Sequence, residues 1–132
     1  MGLTKIGSTV IEQTHRLTCH CEAVVIELTL PDGVVAPQRC NCSFCRRRGA
    51  IVADIAEENI RLVNGHDQLR RYQFRSHTAE HYFCGSCGIY THHRRRSNPQ
   101  RFGYNVGCLK GVNPFEIEDV ALSDGINHPL DR

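Results

Sequence analysis

The chain has 132 residues, with 16 Lys and Arg against 14 Asp and Glu, so its formal net charge at pH 7 is only +2. That length suits a single domain, residues 1–132, and the near balance of charge excludes a global field that would draw the protein onto nucleic acid. The 11 glycines, the absence of Trp and an aromatic content of 7% indicate a small β-rich domain that needs something besides apolar bulk to stabilise it.

The N-terminal stretch MGLTKIGSTVIEQTHRLTC contains no long apolar run of the kind found in signal peptides and membrane spans. It begins with Met-Gly, but the sixth residue is Ile6 rather than Ser or Thr, so the pattern for N-myristoylation is not met. We therefore expect a soluble, cytoplasmic protein without a membrane partner.

Short β-rich segments separated by turns follow along the chain. The predicted strands, in chain order, lie at residues 23–30, 34–40, 49–55, 58–63, 68–74, 80–84, 88–93 and 101–109. A Pro-Asp-Gly turn ends the first strand, and Asn64-Gly65 predicts a hairpin between the fourth and the fifth. Residues 112–132 favour a wrapping tail with one short helical turn at 113–120. The predicted fold class is mainly β.

Seven of the eight cysteines stand in three tight groups. The groups are Cys19-His20-Cys21, Cys40-Asn41-Cys42-Ser43-Phe44-Cys45 and Cys84-Gly85-Ser86-Cys87, and Cys108 stands alone. Because no export signal is present, the thiols should stay reduced, and clustered reduced cysteines are typically metal ligands rather than disulfide partners.

Two of the groups supply two sulfurs each. In a strand, residues i and i+2 point to one face, so Cys19 and Cys21 would present their thiolates together. The Cys84–Cys87 turn does the same from a knuckle. The two pairs can meet in a closed tetrathiolate site, the arrangement of a structural zinc, which would stabilise a small core.

The third group, Cys40, Cys42 and Cys45, supplies three sulfurs. Three protein ligands with one open position are the pattern of a catalytic zinc, whose open position would hold water or an incoming thiol. The alternative is a closed site in which Cys108, or one of the eight histidines, supplies the fourth ligand.

Two cationic runs adjoin these cysteines. The predicted substrate-binding arginines, which could hold the carboxylates of an anionic thiol, are Arg46, Arg47, Arg48, Arg94 and Arg96. In THHRRRSNP, residues 91–99, a strand would place His92, Arg94 and Arg96 on one side and His93 and Arg95 on the other. The alternatives are a solvated charged edge strand, charge compensation at the cysteines, or a nucleic-acid patch, which few stacking aromatics support.

Together the motifs resemble those of the glutathione-dependent formaldehyde-activating enzymes, the family that includes centromere protein V. The resemblance extends over residues 17–111 and rests on CHC at 19–21, CNCSFCRRRGA at 40–50, YFCGSCGIYTHH at 82–93 and NVGCLKG at 105–111. Two departures are Glu22, where the family motif continues with Gly, and Cys108, which lies outside the seven-cysteine pattern.

The resemblance implies a β-tent fold of small antiparallel sheets around a structural zinc, with two Zn²⁺ per chain. The implied ligands are Cys19, Cys21, Cys84 and Cys87 for the structural zinc, and Cys40, Cys42 and Cys45 for the catalytic zinc. The implied activity is that of a carbon–sulfur lyase, S-(hydroxymethyl)glutathione synthase, which adds glutathione to formaldehyde.

The open cysteine triad leads to a mechanistic hypothesis. The glutathione sulfur would occupy the fourth zinc position as a thiolate and attack formaldehyde, and His92 or His93 would deliver a proton to the new alkoxide. The alternatives are a zinc-stapled binding module for nucleic acid or protein, and a related thiol–aldehyde enzyme with another substrate. The sequence leaves the oligomeric state open, a homo-oligomer included.

Overall fold

The computed structural model describes residues 2–126, and within them the fold is mainly β, which confirms the predicted class. The strands are β1 (Lys5–Ile6), β2 (Thr9–Val10), β3 (Thr14–Thr18), β4 (Val25–Thr29), β5 (Gln38–Cys40), β6 (Val52–Ala56), β7 (Ile60–Asn64), β8 (Leu69–Tyr72), β9 (Glu80–Cys84), β10 (Tyr90–Arg94), β11 (Arg101–Asn105) and β12 (Ala121–Ser123). The helical elements are α1 (Cys45–Arg48) and 3-10 turns at Glu57–Asn59, Val106–Cys108 and Pro114–Glu116.

A three-stranded antiparallel sheet forms in the order β3-β4-β7, and β1 and β2 form a separate two-stranded ribbon. Successive side chains of β4 point to opposite faces, so Ile26 and Leu28 are fully buried while their neighbours are not. Leu17 of β3 is buried on the same side. The chain leaves β3 directly before Cys19, which places the first cysteine pair at the end of this sheet.

A seven-stranded sheet has the order β12-β5-β6-β11-β10-β9-β8. Its neighbours pair antiparallel except for β12 and β5, which are parallel. Its central strands bury Thr91 and Tyr104 completely, and Tyr104 joins a core that also contains residues of the three-stranded sheet. Cys40 ends β5 and Cys84 ends β9. This sheet therefore positions the second and the third of the three cysteine groups.

The hairpin predicted at Asn64-Gly65 is wrong. Strand β7 pairs with β4, whereas β8 pairs with β9 in the other sheet. Gly65 has φ +93° and packs so tightly on the backbone of Ala23 and Val24 that a Cβ would collide there. The turn therefore transfers the chain from one sheet to the other instead of reversing it within one.

The predicted C-terminal tail begins with the expected short turn, Pro114–Glu116, in which the Phe115 N–H donates to Asn113 Oδ1 at 3.1 Å. The chain then returns to the seven-stranded sheet as β12. The last part of the predicted tail, residues 127–132, lies outside the described residues. None of the helices in residues 2–126 has the length and apolar character needed to cross a membrane.

His92 is a titratable residue that is buried in the protein interior, with an exposed fraction of only 7%. The ring stacks on Tyr82 at a centroid distance of 4.8 Å, and its Nδ1 lies 2.8 Å from Thr91 Oγ1. Burial lowers the pKa of His92 to about 4, so the ring is neutral at physiological pH.

This neutral ring should make the stability depend on pH. Below the ordinary His pKa of 6.5 the unfolded chain takes up a proton that folded His92 does not, so the free energy of unfolding falls as the pH drops toward 4. Between pH 7 and pH 5 we expect the wild type to lose about 2 kcal/mol more than His92→Phe does. Urea unfolding followed by tyrosine fluorescence measures both. The other titratable groups are common to the two proteins, so their contributions cancel in the comparison. Equal losses of the free energy of unfolding in the two proteins would contradict the prediction.

Candidate metal centres and the adjoining cavity

The first cysteine cluster, Cys19, Cys21, Cys84 and Cys87, brings four sulfurs within 4.8 Å of one another. The Sγ atoms of Cys19 and Cys21 are 3.7 Å apart, as are those of Cys21 and Cys84. Tetrahedral zinc with Zn–S bonds of about 2.3 Å requires sulfurs about 3.8 Å apart. The donor set and its spacing therefore fit a closed tetrathiolate site.

The geometry of Cys19 and Cys21 differs from the prediction. The prediction placed both on one strand face, but β3 ends at Thr18 and the two residues lie in a turn. The turn is closed by the Glu22 N–H, which donates to the Cys19 carbonyl at 3.2 Å, and Glu22 adopts φ +64°. Glycine, the residue that the resemblance leads one to expect here, adopts a positive φ without strain, whereas Glu22 adopts it at a steric cost.

Backbone N–H groups point at the sulfurs of this first cluster. The Val24 N–H lies 3.3 Å from Cys19 Sγ, and the Ser86 N–H lies 3.3 Å from Cys84 Sγ. The Cys84–Cys87 knuckle closes with a Gly88 N–H bond to the Cys84 carbonyl at 2.8 Å. Such donors favour the thiolate form that a metal requires.

The second cluster, Cys40, Cys42 and Cys45, also brings its sulfurs within 4.8 Å of one another. Cys40 is the last residue of β5, Cys42 lies in the following turn, and Cys45 begins α1. The Cys45 N–H donates to Cys42 Sγ at 3.2 Å. A hydrogen bond from the Cys45 thiol, opposed by burial, lowers the pKa of Cys40 to about 5, so this cluster readily supplies a thiolate.

Within residues 2–126 no further Cys, His, Asp or Glu joins this triad. Cys108, the predicted alternative ligand, lies elsewhere: its thiol donates to the Tyr90 carbonyl at 3.6 Å. Burial, with Cys19 and Cys87 nearby, raises the pKa of Cys108 to about 12. Cys108 therefore neighbours the first cluster and does not close the second.

A cavity of about 130 Å³ opens against the second cluster. Its lining combines sulfur, aromatic rings and cationic groups. The lining residues are Gln38, Cys40, Cys42, Phe44, Cys45, Arg48, Ala50, Val52, Phe74, Ser76, Ala79, His81, His93, Arg95, Arg96 and Ser97. The triad thus faces a small space that can admit a ligand.

The two candidate histidines of β10 have different surroundings. His93 lines the cavity and stacks on His81 at 5.2 Å, whereas His92 points to the opposite face of the sheet. Tyr90 Oη lies 2.6 Å from His93 Nδ1. Burial, reinforced by the charge of Arg48, places the pKa of His93 well below its ordinary value, so the ring is neutral. Burial also raises the pKa of Tyr90, which keeps its phenol protonated.

Arg48 links the cluster to the cavity wall. Its guanidinium lies 3.7 Å from the ring centroid of Tyr90 and 4.8 Å from that of Phe44. One terminal nitrogen donates to Cys45 Sγ at 3.4 Å and the other lies 3.1 Å from His81 Nδ1. A positive charge so placed offsets the negative charge of a thiolate cluster.

The other predicted arginines divide between the cavity and the surface. Arg96 lines the cavity, but Arg46 and Arg47 are exposed beside it and do not. Arg94 lies on the far face of β10, where Glu80 and Glu57 bind it at 2.9 and 3.0 Å. Arg94 faces away from the cavity because successive side chains of a strand point to opposite faces, and its neighbour His93 faces the cavity.

The sequence analysis missed several residues of the site. The missed residues are Phe44, Phe74, His81, Tyr90 and Arg95. Arg95 shares a strand face with His93, so the alternation noted for residues 91–99 could have identified it; its Nε also binds Asp54 at 2.9 Å. Phe44 and Tyr90 lie within the quoted cysteine motifs, but the motifs gave them no role, and Phe74 and His81 lie outside the motifs.

Comparison with known proteins agrees with this arrangement. A family model described as glutathione-dependent formaldehyde-activating enzyme matches residues 14–120. A crystal structure of a Rhodobacter sphaeroides protein matches with a TM-score of 0.79 and 52% sequence identity, over 82% of this chain and 99% of that one. Both cysteine clusters lie within the matched residues.

Proposed function

The chain belongs to the family of glutathione-dependent formaldehyde-activating enzymes, and from that premise we propose that it is a zinc-dependent carbon–sulfur lyase acting on a thiol and a carbonyl. The reaction that fits best is the addition of glutathione to formaldehyde, which gives S-(hydroxymethyl)glutathione. The observation that carries the proposal is a triad of cysteines, with no fourth ligand among residues 2–126, that faces a cavity.

We propose two Zn²⁺ per chain, a structural ion held by Cys19, Cys21, Cys84 and Cys87 and a catalytic ion held by Cys40, Cys42 and Cys45. A zinc ion at the triad supplies Lewis acidity that lowers the pKa of a thiol in the fourth position. The reaction itself is an addition: a carbon–sulfur bond forms, the π pair of the carbonyl moves to oxygen, and that oxygen gains the proton that the thiol gave up. Nothing is oxidised or reduced.

His93 is the histidine that we assign to the carbonyl oxygen. Since Tyr90 stays protonated, we assign its O–H as the donor to His93 Nδ1, which leaves the Nε2–H of the neutral ring free to donate. A neutral imidazole can stabilise a developing alkoxide by a hydrogen bond without transferring a full charge. Tyr90 would then be a positioning residue that fixes the ring and its tautomer.

The arginines have two separate roles in this proposal. Arg48, bound to Cys45, offsets the charge of the cluster and is held rigidly between two aromatic rings. Arg96 lines the cavity and is the candidate partner for a carboxylate of the thiol substrate. Glutathione would insert its thiol end into the cavity toward the triad, with Arg96 in the cavity wall within reach of the tripeptide.

Replacing Cys42 tests the proposed activity. We expect Cys42→Ser to contain one zinc fewer per chain and to lose the acceleration of adduct formation, because the triad has lost a sulfur. Elemental analysis measures the metal, and NMR exchange between free ¹³C-formaldehyde and its glutathione adduct measures the rate above the spontaneous reaction. The matched control, Cys108→Ser, should retain both zinc and rate. A wild type no faster than the spontaneous reaction would leave a zinc-stapled binding module as the better description.

The histidines of β10 form a second matched pair. We expect His93→Gln to slow the catalysed addition roughly tenfold to hundredfold, and Tyr90→Phe to slow it in the same direction, because the donor to the alkoxide is lost or misplaced. His92→Gln, on the other face of β10, should keep most of the rate once thermal unfolding confirms that it is folded. An unchanged rate in His93→Gln would remove His93 from the reaction.

Arg96 should affect binding rather than chemistry. We expect Arg96→Gln to raise KM for glutathione by about tenfold, the value of one charge-assisted hydrogen bond, with little change in kcat. The exposed Arg46→Gln serves as the control of equal charge. With the uncharged thiol 2-mercaptoethanol, Arg96→Gln and the wild type should behave alike. An equal defect with both thiols would assign Arg96 to a structural role.

A further inference from the structure

We propose that residues 121–126, here called the strap, are the outer wall of the second cysteine cluster and retain its metal. The inference shares with the proposed function only the assumption that the triad binds a metal. The strap follows directly after residue 120, where the family match ends, so the matched sequence does not account for it.

The strap is held against the cluster at both of its ends. At its start, β12 pairs in parallel with β5 in a register that sets Ser123 opposite Cys40, and the Asn41 N–H donates to the Ser123 carbonyl at 3.2 Å. At its end, Asn41 Oδ1 accepts the N–H groups of Gly125 at 2.7 Å and Ile126 at 3.2 Å. Asn41, the residue between two cluster cysteines, therefore binds the strap through both its backbone and its side chain.

Gly125 is the point of closest approach between the strap and the sulfurs. The residue is buried, and a Cβ built on it would overlap Cys40 Sγ and lie 2.8 Å from Cys42 Cβ. Its φ is not in the left-handed region, so the backbone conformation does not by itself require glycine. What excludes a side chain at position 125 is the space occupied by the cysteines.

The cluster thus has backbone on one side and the cavity on the other. The strap covers the sulfurs on its own side, and the cavity offers a chelator or water a route to them from the other side. The strap contributes little to the core, since Leu122 is 70% exposed and Ile126 is 59% exposed. Its hydrogen bonds to Asn41 therefore control the enclosure of the site more than they control the stability of the fold.

The rate of metal release tests this inference in the full-length chain. Protein loaded with zinc is mixed with a chromogenic chelator, and the phase that is missing in Cys42→Ser identifies the second cluster. We expect Asn41→Leu, which removes the acceptor, and Gly125→Ala, which pushes the strap off the sulfurs, to accelerate that phase about tenfold to hundredfold. The phase of the first cluster should not change, and it reports that the variants are folded.

Two further variants test whether faster metal release comes from loss of the strap contacts or from a nonspecific effect of substitution. Asn41→Asp retains the acceptor oxygen and should release the second metal nearly as slowly as the wild type. Gly107→Ala adds a methyl group at a glycine whose nearest neighbour would lie 3.3 Å away, and it should change neither phase. Release from Asn41→Leu and Gly125→Ala at the wild-type rate, Asn41→Asp as fast as Asn41→Leu, or a wild type without a second phase would each overturn the inference. The adduct assay is a separate measurement: a strap that does not retain the metal leaves the proposed activity standing, whereas a triad that binds no metal removes both proposals.

Discussion

The meeting of four sulfurs from two sheets is the constraint on which the rest of the structure depends. Cys19 and Cys21 lie in the turn that follows the three-stranded sheet, and Cys84 and Cys87 lie in the knuckle that ends β9 of the seven-stranded sheet. Both sheets also share an apolar core, and a tetrathiolate metal site can contribute about 10 kcal/mol or more to folding. The cluster also fixes where β9 and β10 lie, and with them the cavity.

The second cluster differs from the first because it has three sulfurs instead of four and faces a cavity that can admit a ligand. Three sulfurs lie close enough to share protons, and the Arg48 guanidinium offsets their charge from one side. Burial, reinforced by the charge of Arg48, lowers the pKa of His81 to about 3 and the pKa of His93 well below its ordinary value, so both histidines in the cavity wall are neutral. The result is a pocket that combines a corner of sulfurs, two neutral histidines and the cationic side chains of Arg48, Arg95 and Arg96.

The sequence predicts the cysteine groupings well because metal ligands must be close in space and their spacing limits how they can meet. It predicts strand pairing less well. An Asn-Gly pair is compatible with a hairpin and with a turn between sheets, and the packing of Gly65 on Ala23, which decides between them, is a contact distant in sequence. The predicted alternation of side chains holds for residues 91–94, but Arg96, expected on the side of Arg94, lines the cavity because β10 ends at Arg94. No local signal shows which face meets the cavity, so Arg94 was assigned to the site and Arg95 was not. The contact of Gly125 with Cys40 has no sequence signature at all.

The parallel pairing of β12 with β5 has a consequence for the order in which the protein is completed. Asn41 and Gly125 are separated by 84 positions, so closing this contact requires the ends of a long segment to meet, which is slow compared with local hairpins. During synthesis the ribosome has made all seven clustered cysteines well before it reaches Gly125. The tetrad of sulfurs can therefore come together while the triad still lacks its outer side, and the second cluster is uncovered on that side until β12 has been added.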